Sequence, residues 1–296
     1  INPVNCFLYH PDHSDWRYEI DLLDVPSDWQ VATALSCTNG HLMARDVKHV
    51  MDIHIQAAPA LTHTQYESNG IPFHIWVYGN NQPDSEKFKE DHAAFTDSQI
   101  AHFGSFPTDH YHFMYLLPER EVRHGVEHED TTVIALGPSI KSQSQAGYDE
   151  LIGIASHELY HAWNVKRIRP SEWMPYDFSK ACPSRMGYVA EGVTTYMGDL
   201  FLFESGVIDL QGWCTLMERL LNRHVNNPGR LNCSVAESGF DTWLDGYEPG
   251  VPGRKGSIYV EGAVLAFLCD VRIMQLTGGE ASLQTAMRML WEQFGM

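Results

Sequence analysis

Positive charge is what this chain has least of. Its 296 residues carry 20 Lys and Arg against 38 Asp and Glu, a formal net charge of −18 with His neutral. Nucleic acid and anionic membrane surfaces both call for a basic face, so neither is expected as a partner. No run of 18 or more apolar residues occurs, which argues against a helix that spans a bilayer. Cysteine is sparse: Cys6, Cys37, Cys182, Cys214, Cys233 and Cys269, with no two in C-x-x-C spacing. A cysteine zinc site is therefore not expected, and the wide spacing suggests buried free thiols rather than a disulfide framework. Internal repeats and low-complexity segments are absent from the sequence. So is a basic-then-apolar leader, and the first residue is Ile1. The chain reads as trimmed at both ends.

What is present is ample material for a core, 44% hydrophobic and 11% aromatic residues, and an unusual 16 His. Short β-prone runs at 7–9, 29–35 and 73–78 are punctuated by Pro, Asn, Asp and Gly. A linker over 79–85 ends in a helix cap, and a helix is expected from Glu86 to about Phe103. Strands follow at Tyr111 to Leu117 and Thr131 to Leu136, separated by a charged loop from Glu119 to Asp130. Apolar residues then recur at three- and four-residue spacing, placing helices near 145–165, 185–205, 209–224, 257–276 and 280–294. Strands first and helices later give an α+β fold. The expected division is a β-rich portion over 1–84 and a second domain over 85–296.

Within the helix expected near 145–165 stands His157-Glu158-Leu159-Tyr160-His161, an H-E-x-x-H motif. Residues four apart share a helix face, so two imidazoles there can converge on one tetrahedral zinc. Glu158 beside them can take a proton from water. With 16 His and 19 Glu, chance would give roughly 0.05 such motifs in this chain. The competing reading is an amphipathic helix with incidental histidines. A zinc site needs a third ligand, and Glu191, 30 positions after His161 on the next helix, is the candidate. Gly192, directly after it, costs about 1 kcal/mol against Ala in a helix, which suggests a close helix approach such as metal sharing demands.

The run H-E-L-Y-H-A-W-N-V-K-R-I-R-P from His157 to Pro170, followed by Val189-Ala190-Glu191-Gly192, resembles the glycyl aminopeptidase family of zinc metallopeptidases. That family is thermolysin-like, with two His and one Glu on zinc. The resemblance implies a catalytic domain of that type with a mainly helical C-terminal half, behind the later part of a β domain. The segment His124-Gly125-Val126-Glu127-His128 is similar to the family's Gly-Gly-Leu-Glu-His strand, with His124 replacing a Gly. By this resemblance Glu127, with Gly125, binds the free α-amino group of a substrate; read from the residues alone, it is a solvated acidic loop. Ser257 to Ala263 resembles the segment whose Tyr donates to the oxyanion, here Tyr259, although Glu261 stands where Lys is common. On sequence alone a core tyrosine is an equal reading.

The expectation is thus a zinc aminopeptidase removing small N-terminal residues, Gly or Ala, from peptides. His157, His161 and Glu191 hold one zinc per chain, and Glu158 and Tyr259 are the catalytic pair. Peptides are the expected partners and the cytoplasm the expected compartment, with the periplasm as the other one considered. Two alternatives were weighed: a zinc endopeptidase of the same fold, and a non-catalytic peptide-binding module.

Overall fold

Alternation decides the central strand. Over Ile71–Gly79 every second side chain, Phe73, Ile75 and Val77, is buried, as a sheet with one covered face requires. A computed structural model describes all residues except Asn2, Pro11, Gly40, 243–250 and Met296, and the side chain of Pro3. Its architecture is α+β, with a β-rich first part and a helical second part. The chain divides into two compact units: residues 1–97 with 106–162, and residues 98–105 with 163–296.

The first unit holds three sheets. Strands β1 (Tyr18–Ile20), β4 (His41–Ala44) and β3 (Ser36–Thr38) form one, and β2 (Trp29–Thr33) pairs with β5 (Ile55–Pro59) in another. The short helix α1 (Val47–Met51) joins β4 to β5, and its Val47, Val50 and Met51 share a core with Ile20, Leu35, Ala44, Ile53 and Ile55. The main sheet runs β6-β7-β8-β10-β9: Thr62–Ser68, Ile71–Gly79, Tyr111–Leu117, Thr131–Gly137 and Val122–Glu127. Strands β7, β8 and β10 are parallel to one another, and β6 and β9 run antiparallel on the two edges. A parallel step needs a crossover, and between β7 and β8 it is α2 (Ser85–Phe103). The Asp84 side chain accepts from the Lys87 N–H at 2.9 Å and starts that helix. Phe95 and His92 of α2 pack edge-on against Phe113 of β8.

The second unit is helical: α4 (Thr194–Glu204), α5 (Leu210–Val225), α6 (Val235–Phe240), α7 (Ile258–Thr277) and α8 (Leu283–Phe294). A π-helical segment, Tyr188–Val193, leads directly into α4. Helix α7 packs against that segment and against α4, α5, α6 and α8. Trp163 is wholly buried, stacks on Phe103 at 4.5 Å between centroids, and donates from Nε1 to the Ser105 carbonyl at 3.0 Å.

Three expectations are corrected. No strand forms over 7–9: Phe7 and Tyr9 pack on the α1 core while Leu8 is 91% exposed. The charged loop at 119–130 contains β9, an edge strand with one hydrogen-bonded neighbour, which tolerates the polar residues that hid it. The cysteines are free thiols but not buried: five are exposed and Cys233 is half-buried. Among the described residues no helix is long and apolar enough to cross a membrane.

Candidate metal and peptide site

The motif ends helix α3 (Gln145–Tyr160). Ser144 caps the helix by accepting from the Gly147 N–H at 3.1 Å. Leu151, Ile152, Ala155 and Leu159 bury one face, and α3 packs on β9 and β10. His161 is the C-cap, and its N–H still reaches the His157 carbonyl at 3.3 Å, so the two imidazoles keep the i, i+4 relation.

Their ring nitrogens lie close together. The Nε2 atoms of His157 and His161 are 3.0 Å apart, yet the ring centroids are only 4.6 Å apart and the planes cross at 85°. His63 and His74 supply an internal contrast. Their ring nitrogens are 2.9 Å apart with centroids at 5.2 Å and planes at 18°, the end-on geometry of one ring bonding another. At a nearly equal nitrogen separation, the shorter centroid distance of the motif pair shows that its rings do not meet end-on. Nitrogens this close on one helix face could serve one ion together.

Glu158 is 5% exposed and His161 1%. Burying a carboxylate costs several kcal/mol unless a cation or proton compensates it. Strand β9 brings a second carboxylate to the same place: one ligand atom each from Glu127, Glu158 and His161 lie within 4.8 Å of one another. Two acids so close repel each other, and a cationic group between them relieves that. Gly125, two residues before Glu127 on the same strand face, makes the approach sterically feasible. A Cβ there would sit 2.1 Å from Glu158 Oε1 and 2.9 Å from an Ile154 methyl. Behind them Tyr111 is fully buried, and burial together with the Glu158, Asp130 and Glu127 carboxylates pushes its phenol well above the ordinary range.

Glu191 and Tyr259 belong to the second unit, and both are half-buried. Glu191 lies on the π-helical segment, a geometry frequent at functional sites. Asn164, 2% exposed and three residues after His161, anchors that segment. Its amide donates to the Val189 carbonyl and to Thr194 Oγ1, each at 3.0 Å, and Thr194 in turn donates to the Ala190 carbonyl at 2.6 Å. Asn164 stands in the motif tail, where the sequence alone assigns it no role. Gly192 does mark a close helix approach, and the partner is α7. A Cβ on Gly192 would lie 2.3 Å from the Gly262 Cα. Tyr259 sits in the first turn of α7, which Ser257 caps through the Val260 N–H. Glu261, in place of the family's Lys, takes a hydrogen bond from His224 Nδ1 at 2.5 Å and so ties α7 to α5.

Residues 150–265 match the family model of the M61 glycyl aminopeptidases. That stretch contains the motif, Glu191 and Tyr259, and leaves out Gly125 and Glu127. A solved structure of an aminopeptidase N family protein from Idiomarina loihiensis matches 95% of this chain at 25% identity and a TM-score of 0.87. An M1 zinc metallopeptidase from Deinococcus radiodurans, solved as a substituted form with the substrate Tyr-Ser-Ala, matches 89% of the chain at 16% identity and a TM-score of 0.53. A two-domain M1 zinc metallopeptidase bound to L-arginine matches 97% at 14% identity and a TM-score of 0.53. The chain spans 50%, 54% and 59% of the length of these three. The comparison with curated proteins gives no match. The fold is therefore M1/M61 metallopeptidase-like, in agreement with the resemblance read from the sequence.

Proposed function

We propose that this chain is the catalytic portion of a zinc aminopeptidase that removes small N-terminal residues from peptides. The observation that carries the reading is the juxtaposition of Glu127, Glu158 and His161 beside the close-set nitrogens of His157 and His161. The family match and the peptide bound to a protein of like fold support it.

In this reading His157, His161 and Glu191 hold one zinc, with Asn164 fixing the turn that carries Glu191. Zinc held there would supply a Lewis acid for the scissile carbonyl and would lower the pKa of a bound water toward about 7. Glu158 takes the water proton and returns it to the leaving amine. Tyr259 donates a hydrogen bond to the carbonyl oxygen as charge develops on it, a contribution of about 3 kcal/mol for one such donor. Glu127 receives the substrate ammonium, so only a chain end fits. The preference for Gly or Ala rests on the family match alone. Five exposed free thiols suit a reducing compartment, and the cytoplasm is the proposed one.

The test is metal analysis together with hydrolysis of glycyl and alanyl amides. One zinc per chain, with turnover lost and zinc retained in Glu158→Gln, is the expected result. Equal cleavage of free and N-acetylated peptides would replace the aminopeptidase by an endopeptidase.

A further inference from the structure

The turn that follows Glu127 is held from outside its own sheet as well as from within it. Residues 128–130 connect β9 to β10, and the hairpin's own closing bond is the His128 N–H to the Thr131 carbonyl, at 2.8 Å. Within the sheet, the His112 N–H of β8 also donates to the Asp130 carbonyl at 3.0 Å and Thr131 Oγ1 to Asp130 Oδ1 at 3.2 Å; the side chains that grip the turn from outside the sheet come from α1 and its flanks. Asp52, the C-cap of α1, accepts the Glu129 N–H on Oδ2 at 2.9 Å and faces His128 Nδ1 with Oδ1 at 3.3 Å. Glu129, 7% exposed, pairs with Arg45 at 3.4 Å and with Lys48 at 3.5 Å. Asp130 lies 3.7 Å from His49 Nε2. The His49 ring is oriented in turn, because its Nδ1 accepts the Arg45 N–H at 3.1 Å.

Asp52 stands out among these. It is one short side chain that grips two successive residues, and the next residue back along the strand is Glu127. A carboxylate accepting a backbone N–H and an imidazole N–H is rigidly placed. Helix α1 is itself fixed by three apolar side chains in the core it shares with β1, β4 and β5. The brace therefore connects a packed core to the end of an edge strand that is otherwise bonded on one side only.

We infer that Asp52 is a positioning residue for substrate amine recognition: through His128 and Glu129 it holds the Glu127 carboxylate in register with Glu158. This rests on the proposed role of Glu127. The β-rich part of the chain then has a function in specificity, setting where the substrate ammonium is received.

The experiment uses zinc-loaded full-length protein with alanyl-peptide and N-acetylated alanyl-peptide substrates, and glycinamide as a simple amine inhibitor. In Asp52→Ala, KM for the free peptide and Ki for glycinamide are expected to rise together, about tenfold or more, with kcat and zinc content little changed. Asp52→Asn keeps an oxygen for the Glu129 N–H and is expected to stay within a few-fold of the parent. Faster hydrogen exchange at the Glu129 amide in Asp52→Ala reports the loosened turn directly. If Asp52→Ala keeps its KM and Ki, or loses kcat equally on every substrate as its folded fraction falls, the positioning role is overturned. If Asp52→Ala does not fold, Asp52→Ser, whose short side chain cannot serve both partners, decides on the same readouts, and unchanged KM and Ki in it overturn the role. A free-peptide KM and glycinamide Ki that rise together at constant kcat support the role, and a uniform loss on all substrates overturns it. If the parent protein itself fails to discriminate free from acetylated peptide, the amine role of Glu127 fails before any variant is made.

Discussion

Gly125 and Glu158 share one space: a Cβ on the glycine would lie 2.1 Å from the carboxylate oxygen and 2.8 Å from its carbon. Edge strand and motif helix approach as closely as they do because this position carries no side chain. Gly125→Ala is expected to leave the fold nearly intact, since the far end of a Glu side chain can yield, while turning Glu158 from its working direction. Turnover should fall about 100-fold with zinc retained, an effect of the size that an ångström-scale misplacement causes. Full activity in this variant would separate the strand from the chemistry.

Gly192 and Gly262 present the harder version of the same contact. A Cβ on Gly192 would meet the Gly262 Cα at 2.3 Å, and one on Gly262 would meet the Tyr188 carbonyl at 2.7 Å. Backbone cannot rotate away as a side chain does, so Gly192→Ala should cost about 3 kcal/mol or more. Thermal and urea denaturation measure it, and a loss below 1 kcal/mol would mean that the helices separate freely.

Asn164→Ala removes the donor serving the Val189 carbonyl and Thr194 in a buried site. A stability loss of about 1–3 kcal/mol is expected from the groups left unsatisfied. If Glu191 is a zinc ligand, zinc affinity should fall as well, because the anchor of its turn is gone. Competition with a chelator gives the affinity, and a variant less stable but unchanged in zinc binding would detach Glu191 from the metal.

Acid should destabilise the protein through His92. Its Nδ1 donates to the Phe88 carbonyl and its Nε2 accepts from the Tyr115 hydroxyl, both at 2.6 Å, and burial pushes its pKa down to about 4. In the unfolded chain it takes a proton near pH 6.5. The stabilisation is therefore full above pH 6.5 and drains away as pH falls through about 4, by at most about 3 kcal/mol for this residue. Denaturation midpoints from pH 8 to 4 should show the decline. His92→Phe, with no proton to bind, should be less stable throughout and shallower in its pH slope.

The motif site was legible because its logic is local. His157 and His161 are four residues apart, and the helix alone brings them together. Glu127 needed the family resemblance, because β9 has no clean alternation and its neighbours are mostly polar. Asn164 and Asp52 carried no local signal. Their partners lie 25 and 77 residues away, and a single Asn or Asp has many possible uses. The glycine at 192 announced a close contact, but its partner could have been found only by weighing Gly262, another glycine within a helix. The main helices were visible in their apolar spacing, whereas α1 and α6 were too short to show a period.

The π-helical segment Tyr188–Val193 holds one more residue per turn than the α-helix it enters. Counting by 3.6 from α4 back through this segment therefore misassigns the direction of everything before it. Removing one residue there would restore α-helical phase and swing Glu191 by about 100° relative to α4. If Glu191 is a zinc ligand, a single in-frame codon deletion in this segment silences the centre. It needs no change to the motif itself, so an inactive descendant could keep a perfect H-E-x-x-H.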